Sequence, residues 1–292
     1  MTLEQLRIFV GVAEREHVTA AARVLHITQS AASAAIAALE ERHAVRLFHR
    51  VGRGIVLTEA GQLFLVEARG VLSRAKAAEI ALEELGGLKQ GTLRVVASQT
   101  TAAYWLPPVL AAFHKRYPGL DVTLTIGNTG QAATRVRDGE ADLGIVEGVV
   151  EDPVLAHWRI GEDRLMLVQA AAFGKAIIDA AWLRRARWVR REPGSGTRST
   201  LDGYLRDLGV DPEALDVALV LPSNECVRTA VEAGAGVAVL SSLVVQPALN
   251  AGTLHAAAIQ FGPRPFFGLR HKERYRSKAA DALLEMIRVQ PS

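Results

Sequence analysis

Gln29, with Ser30 beside it and Ser33 one helical turn later, makes a short polar ridge whose chemistry suits a nucleic-acid groove. A glutamine amide can pair bidentately with the edge of an adenine, and serine hydroxyls can reach bases or phosphates. From Arg42 to Thr58 four arginines, Arg42, Arg46, Arg50 and Arg53, occur without a single acid. Such a stripe fits phosphate contacts, which add affinity and salt dependence but no choice of sequence. The second half of the chain offers a different chemistry. Four runs rich in hydroxyls, amides and glycine, Ser98-Gln99-Thr100-Thr101, Gly127-Asn128-Thr129, Ser195-Gly196-Thr197-Arg198 and Ser223-Asn224-Glu225, together with Glu147, can surround a small polar molecule.

Other chemistries lack their residues. The loop Gly194-Ser195-Gly196-Thr197 looks like a phosphate cradle, yet it has neither the spacing nor the Lys-Ser/Thr ending of a nucleotide-triphosphate loop. There is no Gly-x-Ser-x-Gly elbow, and the eight histidines are scattered without metal spacing. One cysteine, Cys226, excludes an intramolecular disulfide and a cage of several thiolates. No catalytic residue, metal site or cofactor is therefore expected. Two alternatives, an enzyme or a solute-binding protein, remain as readings of the second half alone. Apolar residues at 49%, charged residues at 22% and a net charge of +3 describe an ordinary packed, soluble protein. Glu4 and Arg7 interrupt the start of the chain where an export signal or a membrane span would need a continuous apolar run, so a cytoplasmic location with no membrane contact is expected.

The elements that position these residues follow from periodicity. Leu3, Leu6, Phe9, Val10 and Ala13 share one face of a first helix. Thr19 is read as the N-cap of a second helix through Leu25, its hydroxyl accepting from Ala21 or Ala22, and after a break at His26-Ile27, Thr28 caps a third. On that helix Ala32, Ile36 and Leu39 face inward and Gln29, Ser30 and Ser33 outward, which is a helix-turn-helix. Val45, Leu47 and Phe48, then Arg50 to Gly54, then Ile55, Val56 and Leu57 form a hairpin wing carrying Arg50 and Arg53. The DNA-contacting set is thus Thr19, Thr28, Gln29, Ser30, Ser33, Arg50 and Arg53.

From residue 59 no proline interrupts a helix in which Phe64, Ala68, Val71, Ala75, Ala78, Leu82 and Leu85 make a heptad seam, expected to pair two chains before Gly86-Gly87 ends it. Strands then alternate with helices: Thr92 to Ala97, Leu120 to Ile126, Ala141 to Val146, Leu165 to Val168, Trp188 to Arg191, Ala218 to Leu221, Val237 to Leu240 and Phe266 to Arg270. This predicts parallel sheets in two lobes, with the helix near Ala279 to Ile287 returning to the first. Ligands bind beyond the carboxyl ends of such strands, where helix N-termini present free amides, so the four polar runs converge on a cleft.

Several stretches carry a family resemblance. The runs Leu6-Arg7-Ile8-Phe9, Val18-Thr19-Ala20-Ala21-Ala22, Thr28-Gln29-Ser30-Ala31-Ala32-Ser33, Leu47-Phe48-His49-Arg50 and Leu57-Thr58-Glu59-Ala60-Gly61 resemble, in order, the DNA-binding domain of LysR-type transcriptional regulators. Where that family often has a basic and an amide residue this chain has Ala34 and Ala35, so Gln29, Ser33 and the wing must carry more. Leu106-Pro107-Pro108, Tyr117-Pro118, Asp138-Gly139, Asp142-Leu143-Gly144 and Ala233-Gly234-Ala235-Gly236-Val237 resemble the same family's effector domain, which has the two-lobed fold of type 2 periplasmic binding proteins. Gly194-Ser195-Gly196-Thr197-Arg198 also resembles a loop of regulators of sulfur assimilation and carbon fixation.

The resemblance implies an all-α winged helix-turn-helix over residues 1–58, a dimerising linker helix over 59–88, and an α/β effector-binding domain over 89–292. Its lobe I spans about 91–162 and 265–292, and its lobe II about 163–264. The implied function is effector-modulated, sequence-specific regulation of transcription. The expected partners are an inverted repeat in duplex DNA, a second copy or three further copies of the chain, RNA polymerase, and a small effector. An anionic effector is expected because the helix starting near Thr197 turns its positive end to the cleft, worth about 0.3 to 1 kcal/mol. Ser195, Thr197, Thr100 and Thr101 add hydroxyls and Arg198 a charge, while Arg184, Arg185, Arg187, Arg190 and Arg191 are read as surface.

Gln29→Ala is expected to weaken discrimination between operator and random DNA. Arg50→Ala should weaken both alike and flatten the slope of log affinity against log salt by about one unit, as salt-dependent binding assays on the two variants would reveal.

Overall fold

The computed structural model describes residues 1–52, 54–85, 90–175, 177–259 and 261–289 and contains two compact units, Met1–Glu83 and Glu84–Ser292. Arg53 and the Gly86-Gly87 break lie outside the described residues, as does the side chain of Leu85. Among the described residues no helix is long and apolar enough to cross a membrane.

In the first unit α1 (Leu3–Ala13) starts at a capping box, in which Thr2 Oγ1 accepts from Gln5 N at 3.2 Å and Gln5 Oε1 accepts from Thr2 N at 2.9 Å. The second helix, α2 (Val18–Val24), is capped by His17, whose Nδ1 accepts from Ala20 N at 3.2 Å. This displaces Thr19 from the cap position expected of it. His17 is the last residue with extended backbone, and Thr19 sits exposed inside the first turn. Thr28 does cap α3 (Gln29–His43), accepting from Ala31 N at 3.1 Å, and Ala32, Ile36 and Leu39 are buried as the spacing requires. Strands β1 (Phe48–Val51) and β2 (Gly54–Leu57) pair antiparallel from Phe48↔Leu57 to Val51↔Gly54, with Gly52 at φ 59 in the turn.

The long helix α4 (Glu59–Leu85) does not serve one purpose along its length. Phe64, Leu65, Ala68 and Leu72 pack into the head's own core with Leu6, Phe9, Leu39 and Leu47, and the Phe64 ring lies 4.7 Å from that of Phe9. Phe64 and Ala68 therefore leave the intermolecular seam that the heptad spacing gave them, because Phe9 offers apolar surface within the same chain. Of the other seam residues Val71, Ala78 and Leu82 are exposed, as are Leu63 and Val66.

The second unit begins with β3 (Gly91–Ser98), a single π-type turn (Thr101–Trp105), α5 (Leu106–Arg116), β4 (Leu120–Gly127), α6 (Thr129–Asp138) and β5 (Leu143–Glu147). A long strand β6 (Leu155–Gln169) leads to α7 (Ala180–Arg185), β7 (Arg187–Arg191), α8 (Gly196–Asp207), β8 (Asp216–Leu221), α9 (Asn224–Glu232), β9 (Ala238–Ser241), α10 (Ser242–Asn250) and β10 (His255–Ala256). The chain returns through β11 (Pro263–His271) and ends in α11 (Lys278–Val289).

Strands β4, β3 and β5 are parallel, as are β7 and β8, but β6 and β11 run antiparallel to each other and to their other neighbours. The expected parallel pattern thus holds only where a helix separates successive strands. Leu155–Arg164 of β6 pairs with β11, whereas Leu165–Val168 pairs with β9. These two strands carry the chain out of one lobe and back. One core gathers Leu93, Val95, Phe113, Leu143, Ile145 and, from α11, Leu283 and Ile287; another gathers Leu167, Trp188, Leu205 and Val239. All carboxyl ends of the polar-tipped strands meet where these two layers face each other.

Glu40, buried on α3, holds the wing to the helix. Its Oε1 accepts from Leu47 N at 2.7 Å and Phe48 N at 3.2 Å, and its Oε2 from Arg46 Nη1 at 2.8 Å. Glu40→Ala strips two backbone amides of a charged acceptor and is expected to cost about 2 kcal/mol of head stability. Denaturation followed by helical circular dichroism checks this, since every tryptophan lies in the second unit.

Candidate functional sites

On the first unit Gln29 and Ser30 are exposed and Ser33 is half-buried. Gln29 Nε2 donates to Ser33 Oγ at 2.8 Å, and Thr28 Oγ1 lies 3.0 Å from Ser30 Oγ, so the polar ridge is internally bonded. One Nε2 proton is engaged by Ser33, which leaves the amide oxygen and the second N–H for pairing. Arg50 is exposed on β1 opposite Ile55. Ile55 N also donates to Glu16 O at 3.3 Å, fastening the wing to the turn between α1 and α2. Ala34 is exposed and brings no polar group to the ridge, in keeping with the departure seen in the sequence.

In the second unit the polar runs come together and their hydrogen bonds cross between lobes. Gln99 Nε2 donates to Pro222 O at 2.8 Å, and Gln99 Oε1 accepts from Asn224 N at 3.0 Å. Asn224 Nδ2 donates to Thr100 Oγ1 at 3.1 Å, and Thr100 in turn donates to Glu147 Oε1 at 3.2 Å. Ser98 donates to the other Glu147 oxygen. Below this relay, Asn128 Nδ2 donates to Glu192 Oε1 at 3.2 Å and Gly130 N to Gly194 O at 3.1 Å. Thr129 Oγ1 donates to Glu147 O at 2.6 Å. Ser195 caps α8, and the amides of Gly196 and Thr197 open that helix.

Two expected contributors turn elsewhere. Arg198 Nε is 3.7 Å from Asp202, its Nη2 is 3.6 Å from Glu213, and its Nη1 donates to Arg191 O at 3.3 Å, so it is not a cation offered to the cleft. One turn into α8 places it beside Asp202 at i+4, which captures it. Thr101 donates to Ile145 O at 2.9 Å and so closes a turn inside its own lobe.

The cations actually present were missed by the sequence reading. Arg264, 1% exposed, donates from Nε to Asp163 Oδ1 at 2.6 Å and from Nη2 to Asp163 Oδ2, reaches Thr197 Oγ1 at 2.9 Å, and lies 3.7 Å from Glu147. Arg191, read as surface, is buried. It donates to Glu192 at 2.8 and 2.9 Å and to Asn224 Oδ1. Arg190 is buried against Asp202 as well. Neither Arg191 nor Arg264 carried a sequence signal: β7 is buried from Trp188 to Arg191 without alternation, and Arg264 stands between Pro263 and Pro265.

Glu147 is 2% exposed. Burial pushes its carboxyl above the ordinary carboxylate range, and Asp163 adds to the rise, against the pull of Arg264 and Arg191. At the mouth, Tyr104 donates to Glu225 at 3.1 Å, and burial followed by that carboxylate raises the phenol.

Comparison with known proteins matches both units of the chain to one family. Residues 3–62 match the family model described as bacterial regulatory helix-turn-helix protein, lysR family, and residues 86–291 match the LysR substrate binding domain. The HTH-type transcriptional regulator YeiE of Escherichia coli K12 is 32% identical, the alignment covering 98% of this chain and 96% of that protein. A probable RuBisCO transcriptional regulator of Nostoc sp. PCC 7120 is 32% identical over 98% of this chain and 87% of its own length. Among solved structures, full-length CbnR complexed with its target DNA superposes with a TM-score of 0.69 at 24% identity, covering 99% of both chains, which is a likeness of fold. The regulatory domain of CcmR from Synechocystis PCC6803, in complex with 2-PG, gives a TM-score of 0.61 at 26% identity over 70% of this chain and all of that domain.

The approach of the lobes hinges on Gly196. A Cβ there would stand 2.1 Å from Glu147 O and 2.6 Å from Thr129 Oγ1, a contact that side-chain motion alone cannot relieve. Gly196→Ala is expected to part the lobes, speeding hydrogen exchange of the amides around residues 145–148 and 194–197. Exchange as slow as in the unaltered protein would mean that the cleft accommodates the methyl group.

Proposed function

The chain belongs to the LysR family of bacterial transcriptional regulators, proteins with a DNA-binding head and an effector-binding domain rather than enzymes, and on that premise we propose that its effector is a small anion held between the two lobes. The observation that carries the proposal is the buried polar relay across the cleft, Asn224 to Thr100 to Glu147 and Thr197 to Arg264. Buried polar groups are retained when bonded, and these bonds join the two halves of a two-state element. A ligand that takes over some of them has different affinities for the open and closed lobes, which is what a switch requires.

The residues proposed to meet the effector are Ser98, Gln99, Thr100, Asn128, Thr129, Glu147, Ser195, Gly196, Thr197 and Asn224, with Arg264 supplying the charge first assigned to Arg198. The ligand-bearing CcmR domain supports a small molecule at the level of fold and family. For the head, Gln29, Ser30 and Ser33 are proposed to read bases, and Thr19, Thr28, Arg50 and Arg53 to contact the backbone. Exposed Leu63, Val66, Val71 and Leu82 on α4 support self-association, as a dimer or tetramer binding an inverted repeat with half-sites about one helical turn apart. Duplex DNA as a partner supports a cytoplasmic location, and RNA polymerase is the further partner an activator would engage.

Gel shifts with promoter DNA from the gene's own neighbourhood, with and without sulfate, oxalate, glycolate or pyruvate, test the reading. At least one of these anions is expected to alter the mobility or the footprint. Thr197→Ala and Thr100→Ala should lose that response while holding DNA affinity within about twofold. No binding to DNA at low salt would overturn the assembly proposed, and calorimetric binding of only neutral or cationic compounds would overturn the anion.

A further inference from the structure

We propose that the anion enters the cleft together with a proton, which settles on Glu147. The inference rests on the anionic-effector reading and specifies how such a ligand is recognised.

The cleft already holds several buried charges. Arg264 lies in β11, and both of its outer faces are engaged: Nε and Nη2 hold the Asp163 carboxylate from β6, and Nη1 holds Thr197 Oγ1. Arg191 from β7 holds the adjacent Glu192 carboxylate through Nε and Nη2. Ser98 and Thr100 from the end of β3 give Glu147 hydroxyls, and Asn224 from the start of α9 is neutral. The charges that act on Glu147 are therefore the guanidiniums of Arg264 and Arg191 and the carboxylate of Asp163, with Glu192 held as the partner of Arg191. They balance one another before Glu147 is counted.

An ionised Glu147 leaves this buried cluster negative. A second anion would then have to approach a carboxylate that shares the Arg264 guanidinium, 3.7 Å away, with Asp163. Like charges at that range in a desolvated site strongly disfavour each other, so one of the two must be neutralised. Protonating Glu147 does so, and it also changes the hydrogen bonding in the ligand's favour. The carboxyl gains an O–H that can donate to the anion. The Ser98 and Thr100 hydroxyls, no longer needed to satisfy a carboxylate, can rotate to donate to it as well. Burial already raises the Glu147 carboxyl, which favours uptake of that proton. The sign follows: an adjacent anion raises the carboxyl further, protons bind with the ligand, and affinity grows as pH falls through the interval between the free and the ligand-bound value. Glu147 is in this sense a specificity residue, favouring acceptor-rich anions that can receive its O–H.

Calorimetric titration of the full-length protein with sulfate, oxalate, glycolate and pyruvate, whose own charges are constant between about pH 6 and pH 8, tests this. It is run in buffers of different ionisation enthalpy. Uptake approaching one proton per anion is expected, with apparent affinity falling by up to about tenfold per pH unit as pH rises. In Glu147→Gln, which keeps the shape and is always neutral, the same anion should bind without proton uptake, and at pH 8 about tenfold or more tightly than to the unaltered protein. Anion binding to the unaltered protein with no proton uptake overturns the inference and leaves the anionic reading intact, and this measurement needs no variant. Uptake that persists in Glu147→Gln assigns the proton elsewhere and overturns it too. If none of the four anions binds, the anionic reading itself falls, and the proton coupling with it.

Discussion

One buried guanidinium sits at the junction of the second unit's two lobes and ties together the charges buried there. Arg264 stands where the chain crosses back between lobes, and its planar fork reaches Asp163, Thr197 and Glu147 at once. A lysine there would supply charge but no fork, and an apolar residue would strand two buried carboxylates. In β11 the residue pairs with Asp163 of β6, and from Phe266 onward the same strand also pairs with β5. The lobes are thus coupled through a group that cannot move without moving the strands that connect them.

That coupling explains the character of the cleft. Its polar atoms are mostly engaged with one another across the gap, Gln99 with Asn224 and Pro222, Asn128 with Glu192, Thr100 with Asn224 and Glu147. A ligand competes with existing bonds, not with bulk water alone, so its selectivity depends on replacing each one. In the head, the first half of α4 adds its apolar face to the core that holds α3, and the helix is anchored before it projects its exposed residues.

How much of this was legible depended on the range over which the determining interaction acts. Thr28 as a cap, the inward Ala32, Ile36 and Leu39, and the exposed Gln29 follow from contacts within a few residues, and local spacing carries them. The same reasoning misplaced the α2 cap by two residues, because His17 has an acceptor nitrogen that composition rules rank below a threonine hydroxyl. The four polar runs were visible as strand ends, and their convergence followed from topology. Arg264 was not legible, since its partners lie 67 to 117 residues away and nothing near it marks a buried charge. Arg191 was hidden differently, inside a run of arginines of which some are exposed and two are buried. Phe64 satisfied a heptad and an intramolecular core equally well, and only the position of Phe9 decided between them.

Glu40 has a bearing on how such a head can change. By binding the amides of Leu47 and Phe48 and the side chain of Arg46 from within α3, it welds the element proposed to read bases to the element proposed to grip phosphates. Altering the outward face of α3 leaves this weld intact, so new target preferences are open to substitution at positions such as Ser30 or Ala34 without disturbing the grip. Transplanting the helix alone into another scaffold would sever it. The heritable unit of recognition is the helix together with its hairpin, and exchange between relatives should respect that boundary.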